Sequence, residues 1–221
     1  MAFEALLRGA VGQHHHPGIV DQQVDAPPLL HEERRRVLAH AVVEVADQRG
    51  LDNASLRTVA QYVGMSMGTV QHYFADREAM LDFVLDYVQQ QRTARIERAV
   101  QALATPTPAA ILDALADEIL TADETNQVFE RVNAMFLDRA RRHPATAERL
   151  GQGRAEVIRL FTGLLDGSGL NGRTEPVQAA GVLWALLESL PTAITLGQHT
   201  SLSARTVVHR HLASITKETV R

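Results

Sequence analysis

The chain has 221 residues, of which 45% are apolar, with a net charge of −4 and no cysteine. This is a globular composition, and it excludes disulfides, thiolate metal sites and cysteine nucleophiles. The longest strongly apolar stretch, Ala179 to Leu187, is short for a bilayer span, and no basic start leads into a long apolar run. A cytoplasmic chain without membrane association is therefore expected. The acidic balance by itself argues mildly against nucleic acid as a partner.

Residues 1–30 carry Gly9, Gly12, Gly18, Pro17, Pro27, Pro28 and the run His14-His15-His16, with no persistent period, and read as a flexible arm. The His run reads as a solvated tract rather than a metal site. From His31 onward the pattern is helical. Between Glu33 and Arg49 the positions Val37, Leu38, Ala41, Val42, Val45 and Ala46 form one stripe, closed by Gly50. Ser55 caps a short helix through Val63 that Gly64 ends, and Ser66 caps another through Tyr73. Asp76 caps a long fourth helix that lasts until Thr105-Pro106-Thr107-Pro108. Four or five further helices follow: Pro108 to about Leu120, Asp123 to Arg142, and Ala145 to Asp166 with Gly151 and Gly153 as possible break points. Then come Thr174 to about Leu196 and Ser203 to about Val220. No segment alternates as a strand does, so the fold class is all-α.

Leu56 to Arg77, LRTVAQYVGMSMGTVQHYFADR, carries the functional signal. Two helices of about eight residues joined through a glycine match a helix-turn-helix, whose second helix enters the major groove. Val59, Ala60, Val63, Val70 and Phe74 are spaced to share one small core. Gly68 falls in the first turn of the second helix, where a missing side chain lets the backbone approach a phosphate. The outer face then presents Ser66, Met67, Thr69, Gln71, His72 and Tyr73, none of them acidic.

The segment from about Arg35 to Leu81 resembles the DNA-binding domain of the TetR family of bacterial transcriptional regulators. The resemblance rests on Arg49-Gly50-Leu51, Ser55-Leu56-Arg57-Thr58-Val59-Ala60, Val63-Gly64-Met65-Ser66, Gly68-Thr69-Val70, Tyr73-Phe74 and Arg77-Glu78. It implies an N-terminal three-helix DNA-binding domain over residues 31–80 and a helical ligand-binding and dimerisation domain over 81–221. It implies that Met67, Gly68 and Thr69 approach bases or backbone, that Gln71, His72 and Tyr73 contact bases and phosphates, and that Ser55 and Arg57 touch the DNA backbone. Arg77 would clamp a phosphate. Met67 stands where the family often has Lys, and Gln71 where it often has Tyr. Residues 31–100 hold nine Arg against ten acids, so a local patch is expected rather than a basic domain, with Arg34-Arg35-Arg36 beside the motif.

The resemblance further implies a small-molecule effector, of unknown identity, bound among the C-terminal helices. Candidate walls are Phe129, Asn133 and Phe136 on one helix, Phe161 on the next, and Trp184 and Glu188 one turn apart on the penultimate helix. Phe129, Phe136 and Phe161 read more readily as plain core than as pocket, and Glu188 more readily as a side chain satisfied in a dimer interface. The penultimate helix, apolar nearly all round, and the last one, with Val207, Val208, Leu212 and Ile215, are candidates for a homodimer interface. The leading expectation is a repressor that binds a palindromic double-stranded operator as a homodimer and is released by its effector. The alternatives are an activator, or a helical protein-interaction module. No catalytic residue, metal site or cofactor is expected, because no HExxH, Walker or GxSxG motif occurs and His209 and His211 fall on different helical faces.

Overall fold

The computed structural model describes residues 28–121, 123–171 and 174–216. The His14–His16 run and nearly all of the expected arm lie outside the described residues. Nine helices occur among those described: α1 (Pro28–Arg49), α2 (Leu56–Val63), α3 (Met67–Tyr73), α4 (Arg77–Gln101), α5 (Pro108–Ile119), α6 (Glu124–Ala140), α7 (Pro144–Gly167), α8 (Pro176–Thr195) and α9 (Ser201–Ile215). A single 3-10 turn, Leu51–Asn53, precedes α2. The only β-type pairing among the described residues is an isolated bridge between Leu170 and Thr216.

The described helices form two compact units. The first holds the described residues up to Gln90 together with Val128–Thr146, and the second holds the described residues of Gln91–Gln127 together with those from Ala147 on.

In the first unit, α1 runs until Gly50, whose φ of 83° suits glycine alone and whose N–H bonds Ala46 O at 2.8 Å. Its helix begins at Pro28, earlier than the sequence pattern indicates, and its buried face is Leu38, Ala39, Ala41, Val42, Val43, Val45 and Ala46. Val37, expected on that stripe, is exposed. α1 packs on α2 and the 3-10 turn, and α2 on α3. From the later chain α6 joins the unit through Arg131, whose Nε and Nη2 donate to the two carboxylate oxygens of Asp47 on α1 at 2.7 and 2.8 Å. A fork matched to a carboxylate fixes orientation as well as distance. Buried Arg139, also on α6, pairs with Glu78 at the start of α4.

The second unit is built on one apolar cluster drawn from α5, α7, α8 and α9, with Val100 near the end of α4. Ala116, Ala180 and Ala204 are fully buried where α5, α8 and α9 meet, and side chains this small let helix backbones come close. Gly151 and Gly153 leave α7 unbroken. At about 1 kcal/mol each, two exposed glycines do not outweigh a helix anchored by Leu160, Phe161, Leu164 and Leu165. Glu175, and not Thr174, occupies the cap position of α8, with Pro176 in its first turn. α8 continues through Pro191 to Thr195. It is therefore longer than its apolar run suggests: by length and composition alone it could cross a membrane, with a mean hydropathy of 1.3. Here Ala179, Ala180, Leu183, Trp184, Leu187 and Leu190 put it in the core of its unit.

Candidate nucleic-acid interface

The two short helices are set by their ends. Ser55 takes extended backbone geometry and its Oγ accepts from Thr58 N at 3.1 Å. Gly64, with φ at 68°, closes α2, and two reversed bonds complete the cap: Met65 N to Ala60 O at 2.9 Å and Gly64 N to Gln61 O at 3.4 Å. This paired pattern satisfies the last carbonyls and turns the chain sharply. Ser66 then caps α3, its Oγ accepting from Thr69 N at 3.1 Å and lying 2.8 Å from Thr69 Oγ1. Asp76 caps α4 through Ala79 N at 2.8 Å.

α3 buries Val70 completely, and Phe74 just beyond it is buried and tilted against Phe83, with ring centroids 5.6 Å apart. The opposite side of α3 is open. Met67, Gly68, Thr69, Gln71 and His72 are exposed, and Tyr73 is half-buried with its ring edge-on to His72 at 5.4 Å. Arg57 on α2 is exposed as well. The face thus combines hydroxyl, amide, imidazole and thioether groups with one nearby guanidinium and no acid, a set suited to base edges and phosphates.

Arg77, expected at a phosphate, makes bonds within the protein. Its Nε donates to Ala54 O at 2.9 Å and its Nη2 to Leu51 O at 2.9 Å, while Nη1 lies 3.6 Å from Glu78. The guanidinium thereby ties the start of α4 to the turn before α2, and a phosphate clamp would have to compete with these bonds. Arg35 is similarly absorbed. It lies over the Phe83 ring at 4.1 Å, and burial draws its guanidinium below the ordinary value, against the pull of Glu32. Of the Arg34–Arg36 run, only Arg34 and Arg36 remain exposed.

Residues 38–84, the stretch that carries this geometry, match the family described as bacterial regulatory proteins of the tetR family. Over this segment the chain is similar to the TetR family of regulators. The HTH-type transcriptional regulator PksA of Bacillus subtilis is 39% identical over 67 residues, covering 30% of this chain and 33% of that protein. The regulator BetI of Ectopseudomonas mendocina is 33% identical over 84 residues, 38% of this chain and 43% of that one. The match thus spans less than half the length of these curated relatives. A transcriptional regulator from Rhodococcus sp. RHA1, known by its crystal structure, is similar over much more: 82% of this chain and 95% of that one, at a TM-score of 0.72 and 26% identity.

The residues that the TetR resemblance suggested for an effector divide between the two units. In the first, Phe136 is core, and Phe129 lies 6.0 Å from the Tyr87 ring and 6.4 Å from that of His40. Asn133 is bonded inside the protein, its Oδ1 accepting from Gln89 Nε2 at 3.0 Å. In the second, Phe161 and Trp184 pack with centroids 6.3 Å apart, and Glu188 is ion-paired with Arg154 at 3.2 Å. The Glu188 carboxylate therefore already has a counter-charge within its own chain. Trp184 is different: it is 9% exposed and its indole N–H is buried with no acceptor. A buried donor in that state calls for a partner.

Sequence reasoning missed one polar cluster in the second unit. His209 on α9 directs Nδ1 at Asp113 (3.1 Å) and Nε2 at Asp117 (3.2 Å), both on α5, while Arg205 Nε donates to Asp117 at 2.5 Å. Burial pushes the Asp117 carboxyl up, but the bonds from Arg205 and His209 outweigh it and hold it below the ordinary value. Asp113 is raised, by burial first, with His209 opposing and Asp117 adding. The i, i+4 spacing of Asp113 and Asp117 was the available signal. No group of three or more His, Asp or Glu able to hold a metal ion is found among the described residues.

Proposed function

We propose that the chain is a DNA-binding transcriptional regulator and not an enzyme, reading its operator with α3. The observation that carries this reading is the two-sided character of α3. Its inner side is locked by fully buried Val70, and its outer side is an open, acid-free row within the segment that matches the TetR family. A helix used only for packing has no reason to keep such a face beside exposed Arg57.

The chain acts as a cytoplasmic homodimer on a palindromic operator, as a repressor, and a small molecule releases it. The dimer is supported by exposed apolar side chains on and beside the last two helices, namely Val177, Val182, Leu196 and Leu202. Val208, Leu212 and Ile215, first assigned to that interface, are spent on the core of their own chain. Effector binding is supported by the unpartnered indole N–H of Trp184 beside Phe161. Such a site suits a largely apolar ligand carrying one hydrogen-bond acceptor.

A gel-shift series on the DNA upstream of its own gene tests the reading. A discrete complex on a palindrome, lost on Tyr73→Ala with folding intact, is expected. Binding that ignores sequence rejects it.

A further inference from the structure

Several groups that sequence alone offers to DNA are already committed within the motif. The Ser55 hydroxyl is bonded to Thr58, and the Ser66 hydroxyl to Thr69. Arg77 is bonded to the carbonyls of Leu51 and Ala54. Gln71 is the opposite case. It is exposed on α3 and its amide makes no hydrogen bond among the described residues. Met67, four residues earlier and so on the same flank of the helix, is 39% exposed. Between them, on the side of the helix opposite Val70, lies Gly68.

Nothing inside the protein requires glycine there. Its φ is not positive, and an added Cβ would meet nothing nearer than Ser66 Oγ at 3.9 Å. The bare position lets the helix axis come closer to whatever the open face meets, which brings the short reach of Gln71 and Met67 onto base edges. From this we infer that Met67 and Gln71 are the base-reading pair of α3 and that they select an A·T step, an inference that rests on the DNA-binding reading above. An uncommitted amide matches adenine, donating to N7 and accepting from N6. An exposed thioether, carrying no charge for phosphate or guanine, suits the thymine 5-methyl group. Four helical residues advance about 6 Å, so the two contacts fall within about two base steps.

Selection of half-sites from a randomised duplex library by the full chain, alongside Gln71→Ala, Gln71→Arg and Met67→Ala, tests this. Thermal midpoints serve to establish that each variant is folded. The expected result is an A·T pair at one position whose preference falls about tenfold in Gln71→Ala, and which changes to G·C in Gln71→Arg. Replacing the neighbouring thymine by deoxyuridine, which removes only the methyl group, should weaken wild type about threefold and leave Met67→Ala unaffected. Equal loss on all sequences in Gln71→Ala would place the amide on a phosphate and overturn the inference. So would deoxyuridine acting alike on wild type and Met67→Ala. Strong selection indifferent to both residues overturns this inference alone, whereas selection of no sequence overturns the regulator reading with it.

Discussion

Arg77 and Gly68 divide the labour of the motif in a way that their positions in the chain do not reveal. Arg77 bonds carbonyls 23 and 26 residues earlier, so it fixes where α2 begins relative to α4. Arg77→Ala leaves those carbonyls with fewer partners and should cost about 1–3 kcal/mol, read as a lower thermal midpoint. Any loss of DNA affinity should follow that loss of structure and recover in part on cooling. A midpoint equal to wild type would return the residue to the phosphate. Gly68→Ala should behave the other way. Relieved of a glycine in a helix, the protein should gain up to about 1 kcal/mol, while binding to its operator weakens because a methyl group now stands at the contact. A variant both more stable and equally good at binding would show that α3 does not approach closely at this point. The bare position at Gly68 is legible in the sequence because residue type and place in the helix suffice. The internal bonds of Arg77 are not, because the partners of its five donors lie far along the chain.

At the scale of helices, the ends were legible wherever a side chain caps its own helix, as with Ser55, Ser66 and Asp76. They were misplaced where two candidates compete. Ser203 reads as the start of the last helix, yet it is the third residue of a reciprocal box in which Thr200 is the cap. What the pattern did not reveal, beyond the spacing of Asp113 and Asp117, was the pairing that latches α5 to α9, since its partners lie 88 and 92 residues apart. The latch has a pH signature. Asp117 titrates below its ordinary range in the folded chain, so its stabilisation is present above about pH 4 and lost as pH falls through the folded value. Asp117→Asn should lower stability near neutrality by about 1 kcal/mol or less, given the partial exposure of the pair. The gap should close as pH falls below the lowered folded value of Asp117. A gap that persists in acid would assign the effect to packing. His211 acts in a separate window. Burial lowers its pKa, and its ring Nε2 is buried with no acceptor, so the folded state resists protonation. Stability should decline as pH drops below about 6.5, and His211→Gln should flatten that limb in thermal midpoints measured from pH 8 to 5. An unchanged slope would exclude His211 as the cause.

For the molecule as a whole, a net charge of −4 leaves a regulator little long-range attraction to DNA. Arg35 and Arg77 are tied up within the fold, so Arg34, Arg36 and Arg57 are the exposed guanidinium groups of the motif region that sequence offered for phosphates. About three phosphates per subunit, or about six per dimer, give a slope of log affinity against log salt near −5. On the proposed reading each half-site alone is weakly held, and useful affinity requires two subunits acting together. This makes the apolar side chains left exposed near α8 and α9 decisive: Leu202 is 75% exposed and Leu196 66%, and neither contributes to the core. Placing Asp at both positions should leave helix content and thermal midpoint nearly unchanged while converting a dimer to a monomer in sedimentation. Operator affinity should fall by a hundredfold or more, on the order of the second half-site's contribution, and the salt slope should drop to about half. A double variant that stays dimeric would move the interface to another face of the chain. A monomer that keeps full affinity and slope would mean that one subunit suffices, and the palindromic operator would lose its rationale.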